Sequence, residues 1–123
     1  MKRINRISEE IRRKVSDLLT TELKDPRINS MTSVTKVETT KDLGYANIYV
    51  SILGDKKEKE DTLKGLKSAK GFIRKEIAEE LDLRYIPEIT FHLDESIEQG
   101  IYMSKLIEKV AKEDAKKRER SNG

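Results

Sequence analysis

Two hydrophobic periods alternate along this 123-residue chain, and their order is the tightest constraint on its fold. In the middle, Ala46, Ile48, Val50 and Ile52 alternate with Tyr45, Asn47, Tyr49 and Ser51, the pattern of a strand with one buried face. Upstream, Ile7, Ile11, Val15, Leu18, Leu19 and Leu23 recur at helical spacing before the stop Lys24-Asp25-Pro26, which predicts a first helix of about five turns. Downstream, Leu63, Leu66, Ile73, Ile77 and Leu81 share another helical face. A half-buried strand between amphipathic helices must cover its apolar side with them, so an α+β layer of sheet and helices is expected.

The remaining segments fill in this order. Val34 to Glu38 is β-branched but breaks strict alternation, which predicts a bulge or an edge strand, and Lys41-Asp42-Leu43-Gly44 reads as the turn of a hairpin. Lys56 to Asp61 reads as a charged loop. After Pro87, the alternation of Ile89, Phe91 and Leu93 predicts a third strand. Ser96 and Gln99 offer a capping box for a last helix, Gly100 a point of division, and Met103, Leu106, Ile107 and Val110 a short amphipathic stretch. A single domain is expected over residues 1–111, and residues 112–123, with only Ala as apolar content, are expected to be a charged flexible tail.

One continuous helix through Leu63 and Leu81 has a physical fault. It would place Lys70 about 40° from Leu66, inside the apolar stripe. Burying a lysine costs several kcal/mol unless it snorkels or finds a partner. A break at Ala69-Lys70-Gly71 turns the charge outward, and the glycine offers the backbone freedom to do so. Two helices joined by a kink are therefore expected.

Charge is segregated. Residues 1–14 sum to +4, 15–55 to −2, 56–75 to +5, 76–100 to −7 and 101–123 to +3. Three basic segments around an acidic one suit a polyanion held on the basic side. On the first helix Lys2, Arg6 and Arg13 point away from the stripe, and Arg3 adds to the same block. Lys67, Lys70, Arg74 and Lys75 surround the kink. These eight are the candidate RNA-binding residues.

Other chemistries find little support. The chain has no cysteine, and its one histidine, His92, stands near Asp94 and Glu95 without a second His or Cys to complete a usual transition-metal set. No phosphate loop or nucleophile elbow is present, so neither an enzyme nor a cofactor is expected. Tyr45 and Tyr49 lie outward on their strand and could stack on bases, although covering helices or a solvated surface account for them more simply. Phe72, Ile73 and Ile77 are expected in the core. With no apolar run of membrane length, and with Glu9 and Glu10 interrupting any signal-peptide core, a cytoplasmic protein with no membrane contact is expected.

The order helix, strand, strand, helix, kink, helix, strand is also that of the KH domain of type II topology, which clamps RNA at a Gly-x-x-Gly loop between its middle helices. Here Ala69-Lys70-Gly71 stands in place of that loop. This substitution resembles the bacterial ribosome-binding factor A family. So do Glu22-Leu23-Lys24-Asp25-Pro26-Arg27-Ile28, the hairpin Thr40 to Ser51, Gly71-Phe72-Ile73-Arg74, the stretch Leu83 to Phe91, and Asp94-Glu95-Ser96 through Gly100. The resemblance spans roughly residues 4 to 110. Lys70 departs from the serine often found at the middle of the family's kink and adds charge there.

The resemblance implies a KH-like three-stranded sheet with helices on one face. It also implies an assembly factor that binds the free, maturing 30S subunit through 16S rRNA and supports processing of the 16S 5′ end, chiefly in the cold. A monomer off the ribosome is expected. The rival expectation is a protein–protein adaptor that meets basic partners through the acidic segment 76–100.

Overall fold

A computed structural model describes residues 3–83 and 85–122, and the side chains of 6–83 and 85–116 within them. The elements follow in the order α1 (Arg3–Thr21), β1 (Thr32–Thr39), β2 (Tyr45–Ile52), α2 (Lys56–Ser68), α3 (Lys70–Leu81), β3 (Glu88–Leu93) and α4 (Ser96–Asn122). The fold is α+β, with one three-stranded sheet and four helices.

The sheet runs β1-β2-β3, which puts the strictly alternating strand at its centre. β1 pairs antiparallel with β2 as a hairpin, and β3 lies parallel to β2 on the other side. A parallel neighbour needs a long crossover, which α2 and α3 supply. β1 is both an edge strand and bulged, its register shifting between Val34 and Lys36 around Thr35. The hairpin closes with Leu43 in the left-handed region (φ 59°), while Asp42 Oδ1 accepts the Gly44 N–H at 2.9 Å.

The core is one layer between sheet and helices. Ala46, Ile48, Val50, Ile52, Ile89 and Phe91 meet Ile7, Ile11, Val15 and Leu18 of α1 and Leu66, Ile73 and Ile77 of α2 and α3. The chain between α1 and β1 is pinned to α2. The Asn29 N–H donates to the fully buried Thr62 Oγ1 at 3.1 Å, and Gly65 lies under Ile28, where an added Cβ would come within 2.7 Å of Cγ1. Only glycine lets the loop approach α2 this closely.

Three local expectations are corrected. The segment expected to be a charged loop is the first part of α2. Asp55 accepts the Glu58 N–H at 2.8 Å and the Glu58 side chain accepts the Asp55 N–H, a capping box that outweighs the run of charge. The break between α2 and α3 falls at Ala69, with φ −86° and ψ 1°. That bridge conformation is open to any L-residue, and no glycine in the described chain has positive φ, so the freedom of Gly71 is not what makes the kink. Phe72 is 40% exposed, unlike the buried Ile73 and Ile77, because it lies about 100° and 140° around α3 from them.

α4 departs furthest from expectation. It passes Gly100 unbroken and continues through 112–122, the segment set apart by composition as a tail. Its first turn is closed by Asp94, whose Oδ1 accepts the Ser96 N–H at 2.9 Å, in place of the Ser96–Gln99 box. From Gln99 to Lys116 every residue is exposed, so α4 projects from the domain with Met103, Leu106, Ile107 and Val110 uncovered.

Candidate nucleic-acid interface

The candidate bases fall into two groups. Lys2 and the Arg3 side chain lie outside the described residues. Arg6 and Arg13 stand on the outer face of α1, with side chains 76% and 74% exposed. Both border an open cleft whose far wall is Glu80 to Leu83, at the C-terminal end of α3. The kink is at the other end of that 12-residue helix, about 16 Å away along its axis. The sequence suggested one basic surface built from α1 and the kink, and the geometry gives two patches.

Ion pairing divides them further. Arg6 faces Glu10 at 3.5 Å, and Arg13 faces Glu9 at 3.8 Å. Arg12 also pairs with Glu9, which holds the Glu9 carboxyl below its usual range and raises the guanidinium. Lys14 reaches Glu76 at 3.7 Å and Glu80 at 3.9 Å, tying α1 to α3. The cleft beside Arg6 and Arg13 is itself mixed in charge, lined also by Glu10, Asp17, Asp42 and Asp82.

At the kink the cations are of another kind. Lys67 and Lys75 are exposed, Lys70 is half-buried, and none of the three has an ion-pair partner among the described residues. Arg74 is engaged: Nε donates to Pro87 O at 3.1 Å, and Nη2 donates to Ile86 O at 3.3 Å and faces Glu88 at 3.3 Å. Those bonds fix the approach to β3 against α3.

Three features at the kink were not picked out from sequence. Arg27, in the loop after α1, donates from Nη2 to Ser68 Oγ at 3.1 Å, which brings another guanidinium to the end of α2. Its bidentate bond to Asp25 depresses that carboxyl and raises Arg27. Exposed Phe72 presents an aromatic ring beside the lysines. Finally, no side chain caps α3 at Ala69, so the first-turn amides of Lys70, Gly71 and Phe72 have no side-chain acceptor. Such amides attract anions. Gly71 leaves the approach clear, because a Cβ there would meet nothing within 4 Å. Only the break at Ala69 could have signalled this helix start in the sequence.

The His92 cluster does not converge. Its Nε2 lies 2.9 Å from Asn47 Oδ1, and its ring stacks on Tyr49 with centroids 5.0 Å apart. Lys36 Nζ sits 4.7 Å from the centre of the Tyr49 ring. Asp94 turns to Ser96 and Thr35, and Glu95 faces Lys59 at 3.7 Å. Among the described residues no three His, Cys, Asp or Glu side chains gather to hold a metal, and no helix is long and apolar enough to cross a membrane.

Comparison with known proteins places these features in a family. The family profile described as ribosome-binding factor A matches residues 3–107. Ribosome-binding factor A of Acetivibrio thermocellus is 56% identical over 111 residues, covering 90% of each chain. That of Clostridioides difficile is 56% identical over 120 residues, covering 98% of this chain and 94% of its own. Among solved structures, the crystal structure of the Thermus thermophilus factor shares the fold with TM-score 0.66 and 21% identity, over 75% of this chain and 97% of its own. A homology model of the Thermus thermophilus factor, fitted into a cryo-electron-microscopy map of a 30S complex, gives TM-score 0.62 at 21% identity, over 75% of this chain and 96% of that one. With a family profile spanning most of its length and relatives more than half identical, the chain belongs to the ribosome-binding factor A family.

Proposed function

We propose that this protein is a ribosome assembly factor that binds the free, maturing 30S subunit through 16S rRNA. In this reading it supports processing of the 16S rRNA 5′ end, matters most at low temperature, and acts in the cytoplasm as a monomer off the ribosome. Family membership supports the ribosomal target, since the relatives are named as ribosome-binding factors and a related factor has been fitted into a 30S complex. The observation that carries the contact is the kink. Lys67, Lys70 and Lys75, which have no ion-pair partner among the described residues, stand within two turns of an uncapped helix start whose second residue has no side chain, an arrangement suited to a phosphate. Arg6 and Arg13 supply a second, weaker patch, because their charge is shared with Glu10 and Glu9.

A binding protein without chemistry of its own acts by differential affinity, favouring one rRNA conformation over its competitors. RNA misfolds are harder to leave in the cold, so the need for such a factor rises on cooling. Sedimentation with ribosomal particles tests the binding: co-migration with free small subunits and not with assembled ribosomes is expected, and equal co-migration with both overturns it. A deletion strain is expected to grow poorly in the cold with 16S precursor unprocessed at its 5′ end. An Arg13→Glu, Lys70→Glu variant should stay folded yet fail to rescue that strain, and normal processing in the deletion strain would remove the assembly role.

A protein–protein adaptor is the second reading, favoured by the exposed Glu79 and Asp82 at the end of α3 as contacts for a basic partner. Salt-dependent binding to naked RNA separates the two, since a pure adaptor has none.

A further inference from the structure

The body of the protein neutralises many of its own cations. Arg6, Arg12, Arg13, Lys14, Arg27, Lys36, Lys59 and Arg74 each face a carboxylate within 4 Å. α4 behaves differently. Lys105, Lys109, Lys112 and Lys116 are all exposed, and none has an ion-pair partner among the described residues, although Glu108 and Glu113 line the same shallow groove and flank the lysines on either side.

The spacing of the four lysines is i, i+4, i+7 and i+11. At about 100° per residue they fall within about 60° of arc, so they form one straight row about 16 Å long. Met103, Leu106, Ile107 and Val110 lie about 140° around the helix from that row. A helix lying in a membrane surface has the same two faces, one basic and one apolar, so a lipid surface is the rival occupant that the test below must separate from RNA. The row covers nothing among the described residues of this chain, because α4 is exposed from Gln99 to Lys116.

We infer that the lysine row of α4 is a second phosphate-binding surface, separate from the kink, which takes the backbone of a paired RNA segment. This rests on the ribosomal reading above, and the charge geometry selects the occupant. A duplex backbone presents closely and regularly spaced negative charge along a rigid line. It can oppose all four ammonium groups of a rigid row at once, whereas an acidic polypeptide would need carboxylates placed at matching intervals. The body supplies the direction of the row: Lys59 of α2, with its side chain 13% exposed, holds Glu98 at 2.7 Å and Glu95 at 3.7 Å at the start of α4. An anchored first turn lets one molecule engage phosphate at the kink and along α4 together, and two linked contacts strengthen binding beyond either alone.

The test uses the full chain and three probes: a fully paired RNA hairpin, poly-L-glutamate, and vesicles of phosphatidylserine with phosphatidylcholine. A variant with Lys105, Lys109, Lys112 and Lys116 all changed to Gln keeps the helix while removing the charge. It is expected to lose hairpin affinity and to flatten the salt dependence by about 0.7 to 0.9 in log–log slope for each phosphate no longer neutralised. The matching all-Arg variant is expected to bind like the original chain, which separates charge from damage to the helix. Unchanged hairpin affinity and slope in the all-Gln variant overturn the proposal, as does binding to poly-glutamate or vesicles that equals binding to the hairpin. A Lys67→Gln, Lys70→Gln, Lys75→Gln variant, measured in parallel on free small subunits, isolates the reading beneath it. If the original chain ignores subunits, the ribosomal assignment fails while the hairpin result still decides the lysine row.

Discussion

Lys59 Nζ lies 2.7 Å from Glu98 Oε2, and this half-buried ammonium of α2 is the main tether of a helix that otherwise stands in solvent. The Glu98 bond, with Glu95 behind it, raises Lys59 above the usual lysine range, so the ammonium keeps its charge throughout neutral pH and gives it up only in strong alkali. Lys59→Met should therefore free the first turns of α4 and leave the core alone. The expected outcome is faster amide hydrogen exchange over 97–102, with protection of Ile48 and Val50 unchanged. The charge swap Lys59→Glu with Glu98→Lys should restore part of the protection. Equal exchange in the original chain and Lys59→Met would show that α4 is held by something else.

The opposite end of the pH scale concerns Asp94. Hydrogen bonds from Ser96 and from Thr35, the latter at 2.7 Å, lower its carboxyl from 3.8 to about 2. A carboxyl with a lower pKa folded than unfolded contributes stability above the unfolded value and loses it as pH falls through the folded one. The contribution is thus complete above about pH 4 and lost toward about pH 2. Because Thr35 is the bulged residue of β1 and Ser96 begins α4, acid should loosen both places together. Thr35→Val removes one donor, so a carboxyl titration followed by NMR is expected to show Asp94 titrating closer to 3.8. A titration unmoved by that change would deny Thr35 its part.

How much of this was open to a sequence reader differs between fold and site. Strict alternation placed β2 and its buried face, and the charge conflict at Lys70 placed the break at Ala69 within a residue, because both are local rules of period and burial. The start of α2 was missed although Asp55 and Glu58 stood at capping-box spacing, since the run of charge around them suggested solvent. At the site, the pairing of Arg6 with Glu10 and of Arg13 with Glu9 was also visible as i, i+4 spacing. The engagement of Arg74 by Ile86 and Pro87 was not, because it depends on where the chain returns after α3. Nor was the position of Arg27 beside Ser68, 41 residues away in sequence.

The corner that brings Arg27 there depends on Gly65. Its missing side chain admits Ile28, whose Cγ1 would lie 2.7 Å from an added Cβ. Gly65→Ala gains helix propensity but forces Ile28 and the loop to retreat, and overpacking of this kind costs about 1 to 3 kcal/mol. Net destabilisation in urea unfolding is expected. The double variant with Ile28→Ala should be destabilised by less than the sum of the two single changes, because the smaller residue vacates the contact. Strict additivity would mean that the contact is not the cause.

Gly71 offers the converse case and the sharpest test of the kink. It lies in the first turn of α3 with negative φ and open space where a Cβ would be, so nothing in the fold requires glycine. Alanine is the better helix former by up to about 1 kcal/mol, and Gly71→Ala should leave denaturant stability unchanged or raise it by no more than that. Binding should move the other way if a phosphate approaches the amides of Lys70, Gly71 and Phe72, because a side chain at 71 stands in its path. Subunit affinity measured by sedimentation is expected to fall for Gly71→Ala and further for Gly71→Leu, with both variants folded. Stable variants that bind subunits as tightly as the original chain would mean that phosphate does not approach at Gly71, and the kink would keep only its lysines as a contact.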